Sequence, residues 1–176
     1  MAIDYGRTLR GALAGTVAAA IWAGQIPLDK RVFESDYDDV ELLGKAFTRG
    51  ASWPVAGWAT HLQNGALFGA IYTNVAPRMP LPSWARGPLL ALAENFATWP
   101  LMALSEQFHP AREQLPKAFA SPRALAQSTW RHLLFGILLG ELERALNSES
   151  TIQMPDYEHV ISSNGHGSLE HAASAG

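Results

Sequence analysis

Glu94, His61 and His132 are ionisable side chains set inside apolar stretches of this sequence, where a charge is expensive. An ionised carboxylate at the centre of a membrane helix costs about 2.5–3.5 kcal/mol on insertion scales. Glu94 must therefore be protonated, paired, or bathed in water. Asn95 beside it makes a polar pair halfway along its segment, and Thr60, Gln63 and Asn64 flank His61. One carboxyl and two imidazoles are the residue types of a proton relay or a small ion site. In such a relay Glu94 would titrate, with His61 and His132 as its proton partners. The competing reading is a neutral, hydrogen-bonded glutamic acid that glues helices together. The candidate polar patch is Glu94, His61, His132, Asn95 and Asn64.

The two histidines share a frame. HLQNGALFGAIY carries His61, Gly65 and Gly69, and HLLFGILLGELE carries His132, Gly136 and Gly140. A spacing of four stacks residues on one helix face. Glycine costs helix propensity, so its recurrence on one face predicts close packing of helix on helix. Gly11 and Gly15 begin a similar small-residue column that continues through Ala19 and Ala23. Imidazoles on facing helices also suit the axial positions of a haem b or a metal ion. The glycine one turn on makes room for a porphyrin or, equally, for a helix. No second ligand pair exists, so no cofactor, metal or catalytic residue is assigned, and a haem- or metal-binding redox protein is the alternative.

The elements that must position these groups are helical. Of 176 residues, 48% are hydrophobic and 16% charged, against about 25% charged in soluble domains. The net charge of −3 and the absence of a basic stripe exclude a nucleic-acid partner. With no cysteine, disulfides and thiolate sites are excluded. The mean hydropathy of −0.01 is low for a polytopic protein, and it keeps a soluble helical bundle as a further alternative. Segment by segment the picture is more apolar. Helices are predicted at about 9–28, 54–76, 87–106 and 122–146, long enough to cross a bilayer of about 30 Å. Pro88 suits a first helical turn, and Ser121-Pro122 a cap followed by the first helical position. Pro100 should kink the third helix, and Arg131 makes the fourth the least apolar. The first apolar run exceeds the about 7–15 residues of a cleaved leader and is read as a retained span. Trp22, Trp53, Trp84 and Tyr72 read as interfacial anchors.

The connections carry their own signals. Residues 38–48 predict a short amphipathic helix at the interface or over the bundle mouth, with Val40, Leu43 and Phe47 on one face. Asp36, Asp38, Asp39 and Glu41 form either a cation site or a capped, solvated helix start, and the second is the simpler account. PRMPLPSWARG reads as a tight turn. Residues 147–176 are polar and without apolar period, which predicts a disordered tail; His159, His166 and His171 in it belong to no fixed site. The second and fourth segments align at His61/His132, Gly65/Gly136 and Gly69/Gly140, which predicts two tandem hairpins related by a pseudo-two-fold axis. Flanking Lys and Arg do not decide the orientation.

The chain to about residue 146 resembles the YagU-like family of small bacterial inner-membrane proteins. GQIPL, THLQNGALFGAIY, FATWPLMALS and ELERAL carry the resemblance. It implies a multi-pass protein of the cytoplasmic membrane with cytoplasmic termini, and it transfers no catalytic residue. The expectation is an all-α, four-helix transmembrane bundle of residues 1–146 whose partner is the lipid bilayer. It would handle or sense protons or ions through the Glu/His patch. A homo-oligomer and an unidentified small-molecule ligand fit the same reading.

Overall fold

The computed structural model describes residues 4–148; the tail beyond, with His159, His166 and His171, lies outside the described residues. The described chain is all-α. Helix α1 (Tyr5–Phe33) opens on Asp4, whose carboxylate accepts from Arg7 N at 2.9 Å. It runs through Pro27 rather than stopping near residue 28. A proline forfeits one helix bond, while Lys30 and Arg31 in the last turn suit the helix dipole. The chain leaves at Glu34, in the left-handed region at φ 48°.

Helix α2 (Asp39–Phe47) is capped by Asp38, which accepts from Glu41 N at 3.0 Å. Asp38 also meets Lys30 at 2.8 Å, so the acidic cluster is a helix start with protein partners. Val40 is buried and Leu43 half-buried, but Phe47 is exposed, so the three do not share one fate. Helix α3 (Trp53–Val75) follows. The turn expected at PRMPLPSWARG is shorter than predicted, because helix α4 (Ser83–Thr98) already begins at Ser83. Pro88 is therefore interior to α4, not in its first turn. Trp99-Pro100 breaks the predicted third helix in two, and α5 (Leu101–Phe108) continues separately. Helix α6 (Pro122–Ser148) opens on Ser121, whose hydroxyl accepts from Ala124 N at 3.2 Å, and it extends into the stretch predicted as tail.

Helices α1 and α3 pack antiparallel, as do α4 and α6, and α1 packs along α6 to join the two hairpins. Glycines sit at the closest approaches. A Cβ on Gly15 would collide with Gly65 O, one on Gly69 with Gly11 O, and one on Gly87 with Gly136 O. A Cβ on Gly136 would lie 2.7 Å from Pro88 Cα. Gly140 is looser, with the nearest atom, Tyr72 Oη, at 3.4 Å. Helix α2 lies on α3 by the same device, Gly44 against Trp53 O and Gly57 against Val40 O.

The interior is small and polar. Its apolar members are largely alanines, and five of the six largest fully buried side chains are polar: Arg131, Gln127, Asn95, Thr73 and Asp29. Large apolar side chains face outward instead, with Leu9, Leu13, Val17 and Ile21 exposed at four-residue steps along α1. Helix α1, about 43 Å long by its rise, is the one described helix long and apolar enough to cross a membrane, with a best window of mean hydropathy 1.3. Two expected anchors are interior: Trp22 is 8% exposed and Tyr72 2%. Trp22 looked terminal only because α1 was expected to end early.

Candidate functional site

A mostly apolar cavity of about 370 Å³ lies where α3 and α4 would otherwise meet. Asn64 and Gly65 of α3 form one side, and Glu94, Asn95 and Thr98 of α4 the other. Helix α1 contributes Trp22, and α6 contributes Ser128, His132 and Phe135. Leu42 and Leu43 of α2 and Met102 of α5 close one end. Asn64, Thr98 and Leu101 are exposed and mark its mouth. All five residues of the predicted patch line this one space: Glu94, His61, His132, Asn95 and Asn64.

They do not form one triad. His132 Nε2 lies 2.9 Å from Glu94 Oε2, and its Nδ1 lies 2.8 Å from Ser128 O on the preceding turn. His61 Nε2 lies 3.1 Å from Ala19 O of α1, and its Nδ1 lies 3.3 Å from Asp39 Oδ2 of α2. Trp22 stands between the two imidazoles, edge-on to both, with ring centroids 5.3 Å from His61 and 4.6 Å from His132. Asn95 ties α4 to α6, accepting from Ser128 Oγ at 2.7 Å.

The backbone contacts fix which ring nitrogen donates. A carbonyl oxygen only accepts, so His61 Nε2 and His132 Nδ1 must each carry hydrogen. The other nitrogen of each ring faces a carboxylate. Two lone-pair acceptors cannot sit together at hydrogen-bond distance without a proton between them. Each pair, His132 with Glu94 and His61 with Asp39, thus sets a ring nitrogen against a carboxylate oxygen at a distance across which one proton can be shared. The carboxylates differ in access: the Glu94 side chain is 40% exposed and Asp39 only 11%.

Sequence reading missed the ionic core beside this site. Arg131, wholly buried, donates from Nε to Asp29 Oδ2 at 2.6 Å and from a terminal nitrogen to Asp29 Oδ1 at 2.7 Å. Its other terminal nitrogen reaches Asp39 Oδ1 at 2.8 Å. Gln127 and Gln25 complete Asp29, at 2.7 and 2.9 Å. Arg131 was itself the signal, since a lone cation in an apolar helix demands carboxylate partners; Asp29 was hidden by the early end assigned to α1. Tyr37, on the link before α2, lines the cavity with its ring 5.5 Å from the Arg131 guanidinium carbon. Burial, then the Asp39 charge, pushes its phenol well above the ordinary tyrosine value, so it stays protonated.

Every ring nitrogen of His61 and His132 has a protein partner, and an indole lies between the rings. Ligation of a haem iron by both would require Trp22 to move and one contact of each imidazole to be given up. Among the described residues no group of three His, Asp or Glu side chains converges to hold a metal ion. Trp22 Nε1 and Gln127 Oε1 are buried without a hydrogen-bond partner. A second polar cluster lies at the opposite end of the bundle, where Glu143 Oε1 accepts from Thr73 at 2.6 Å and from Arg7 at 3.1 Å. No protein-family model matches the chain, and no curated protein or solved structure matches it either.

Proposed function

We propose that this chain is a multi-pass protein of the bacterial cytoplasmic membrane, akin to the YagU-like family, that handles protons at its Glu94–His132 pair. The carrying observation is that pair itself: a carboxyl and an imidazole 2.9 Å apart, placed to share a proton at the wall of a cavity that both line. His61 and Asp39, the second pair, are held by Arg131 and Ala19 O; they stabilise the arrangement rather than exchange with it. The membrane part of the reading is supported by the inverted distribution of side chains. Helices in lipid gain nothing by hiding large apolar groups and associate through small residues and polar contacts, which is the pattern of this interior.

The test is proton flux in proteoliposomes holding the full chain, driven by an imposed potential. Flux above empty liposomes is expected, falling to the empty level with Glu94→Gln; equal flux in both variants rejects the proposal. A second reading, a bundle outside the membrane, is favoured by one observation: α3, α4 and α6 do not reach the length and hydropathy of a span. Extraction of the chain from membranes by alkaline carbonate would select it.

A further inference from the structure

The cavity pairs an accessible acid with aromatic walls, and that combination has a ligand chemistry. Trp22 and Phe135 line its α1–α6 side, Phe68 its α3 side, and Tyr37 and Trp99 its far end. Phe68 and Phe135 meet edge to face at 5.4 Å, as do Tyr37 and Trp99 at 6.1 Å. Aromatic faces attract cations, most strongly where water is excluded. Glu94 is the carboxylate able to answer such a charge. Asp39 already spends one oxygen on Arg131 and the other on His61, whereas Glu94 holds only His132 and a long contact from Thr98 Oγ1 at 3.4 Å.

Resting on the proton-handling reading of this site, we infer that the cavity binds small hydrophobic cations, of the arylalkylammonium class, in exchange for the proton shared by Glu94 and His132. The balance is simple. Before binding, the pair carries one proton and is neutral as a unit, as carboxylic acid and imidazole or as carboxylate and imidazolium. When the cation enters, that proton leaves to solvent, His132 becomes neutral imidazole with its hydrogen on Nδ1, and the Glu94 carboxylate faces the cation. The charge of the cavity is unchanged, and no covalent bond is altered apart from the one to the departing proton. The remaining charged and titratable groups facing this point keep their state: His61 of α3 and Asp39 of α2 hold each other, Arg131 of α6 is held by two carboxylates, and Tyr37 stays neutral. Helices α1 and α5 present only Trp22, Leu101 and Met102 here, with Ala19 behind. Asn64 and Thr98, which line the cavity from α3 and α4, are exposed, as are the large apolar side chains Leu67 and Phe96 on the same two helices. An amphipathic cation dissolved at a lipid surface would reach the cavity laterally.

Benzyltrimethylammonium and its uncharged isostere neopentylbenzene are suitable probes, titrated calorimetrically into the purified full chain in two buffers of different ionisation enthalpy. Saturable binding of the cation with release of about one proton is expected, with affinity rising about tenfold per pH unit while the pair is protonated. Trp99→Ala should weaken binding about tenfold and leave the proton count alone. Glu94→Gln should abolish proton release and weaken binding by about tenfold or more. His132→Asn, which keeps the carboxylate, should still bind the cation but change the proton release that accompanies binding, and it decides the matter if Glu94→Gln fails to fold. Equal affinity for the isostere, or cation binding without proton release, overturns the inference. Proton flux is read separately. Flux that needs Glu94 without cation binding sinks only the ligand, and cation–proton exchange without flux sinks only the transport reading.

Discussion

Arg131→Met is the perturbation that most directly tests how this bundle is held. The side chain is fully buried and makes three charge-assisted hydrogen bonds, at 2.6, 2.7 and 2.8 Å, to Asp29 and Asp39. Bonds to charged groups contribute about 1.5–3 kcal/mol each, so about 4.5–9 kcal/mol of gross interaction is removed. Against this stands the desolvation of the guanidinium, which methionine no longer incurs. Asp29, 2% exposed, keeps its bonds from Gln127 and Gln25 but loses its counter-charge. Breaking a buried pair from one side costs about 3–5 kcal/mol in measured cases, and that is the expected loss here. For a chain of this size each kcal/mol moves Tm by about 2–4 °C, so the midpoint should fall by about 6–20 °C. The assay is thermal unfolding of the purified chain followed by helical circular dichroism. The double variant Asp29→Asn, Arg131→Met should recover part of the loss, because the stranded carboxylate is gone. A single variant within about 1 kcal/mol of the parent would mean the network is not a structural keystone. A double variant as unstable as the sum of the singles would show that Arg131 and Asp29 are not coupled.

Two further outcomes follow from the same structure. Gly15→Ala places a methyl against Gly65 O and 3.0 Å from Gly69 Cα, which should cost about 1–3 kcal/mol, whereas Gly24→Ala on the same helix meets nothing within 4 Å and should gain about 0.5–1 kcal/mol; unfolding midpoints that move in the same direction would refute the seam. Tyr37, raised from 10.0 in the folded chain chiefly by burial, binds its proton more tightly folded than unfolded. Its stabilising effect is therefore complete below pH 10.0 and is lost as pH rises toward the folded value, at about 1.4 kcal/mol per unit. Tyr37→Phe should lose about that much less stability than the parent one unit above the ordinary tyrosine value, and denaturant unfolding with equal losses would discount the burial.

The helices were legible because charge-free stretches of helical length have few other fates, and the cap at Ser121 was legible from residue type. The polar patch was legible in membership but not in pairing. Glu94 and His132 face each other because α4 and α6 run antiparallel over Gly87 and Gly136, a register that spacing along one helix does not contain. His61 was matched to Glu94 as the nearest carboxylate within an apolar segment. The true partner, Asp39, comes from a connection read as solvated, because nothing local says that α2 drops its first residue into the bundle end. Pro88 misled, since it was read as a helix start, and it is carried inside a helix, as is Pro27. Tertiary contacts outweigh a lost bond there.

The cavity itself follows from how the glycine columns are used. In two like hairpins closed symmetrically, the contact of α1 with α6 would be matched by one of α3 with α4. The first is present and the second is replaced by the cavity. The small faces of α3 and α6 are consumed within their own hairpins, Gly65 on Gly15 and Gly136 on Gly87. What remains to meet across the gap is bulky or polar: Phe68 and Asn64 from α3, Glu94 from α4, and Trp99 where α4 ends early at Pro100. Such surfaces cannot interdigitate at the distance that glycine permits. On α1 the small column continues from Ala19 to Ala23, and beside it stands Trp22, whose ring fills the space between the histidines. The recurrent frame of a histidine one turn before a glycine thus has a single physical origin in both hairpins. The glycine brings the hairpin partner close, and the histidine a turn away lies beside the indole and within reach of a carboxylate.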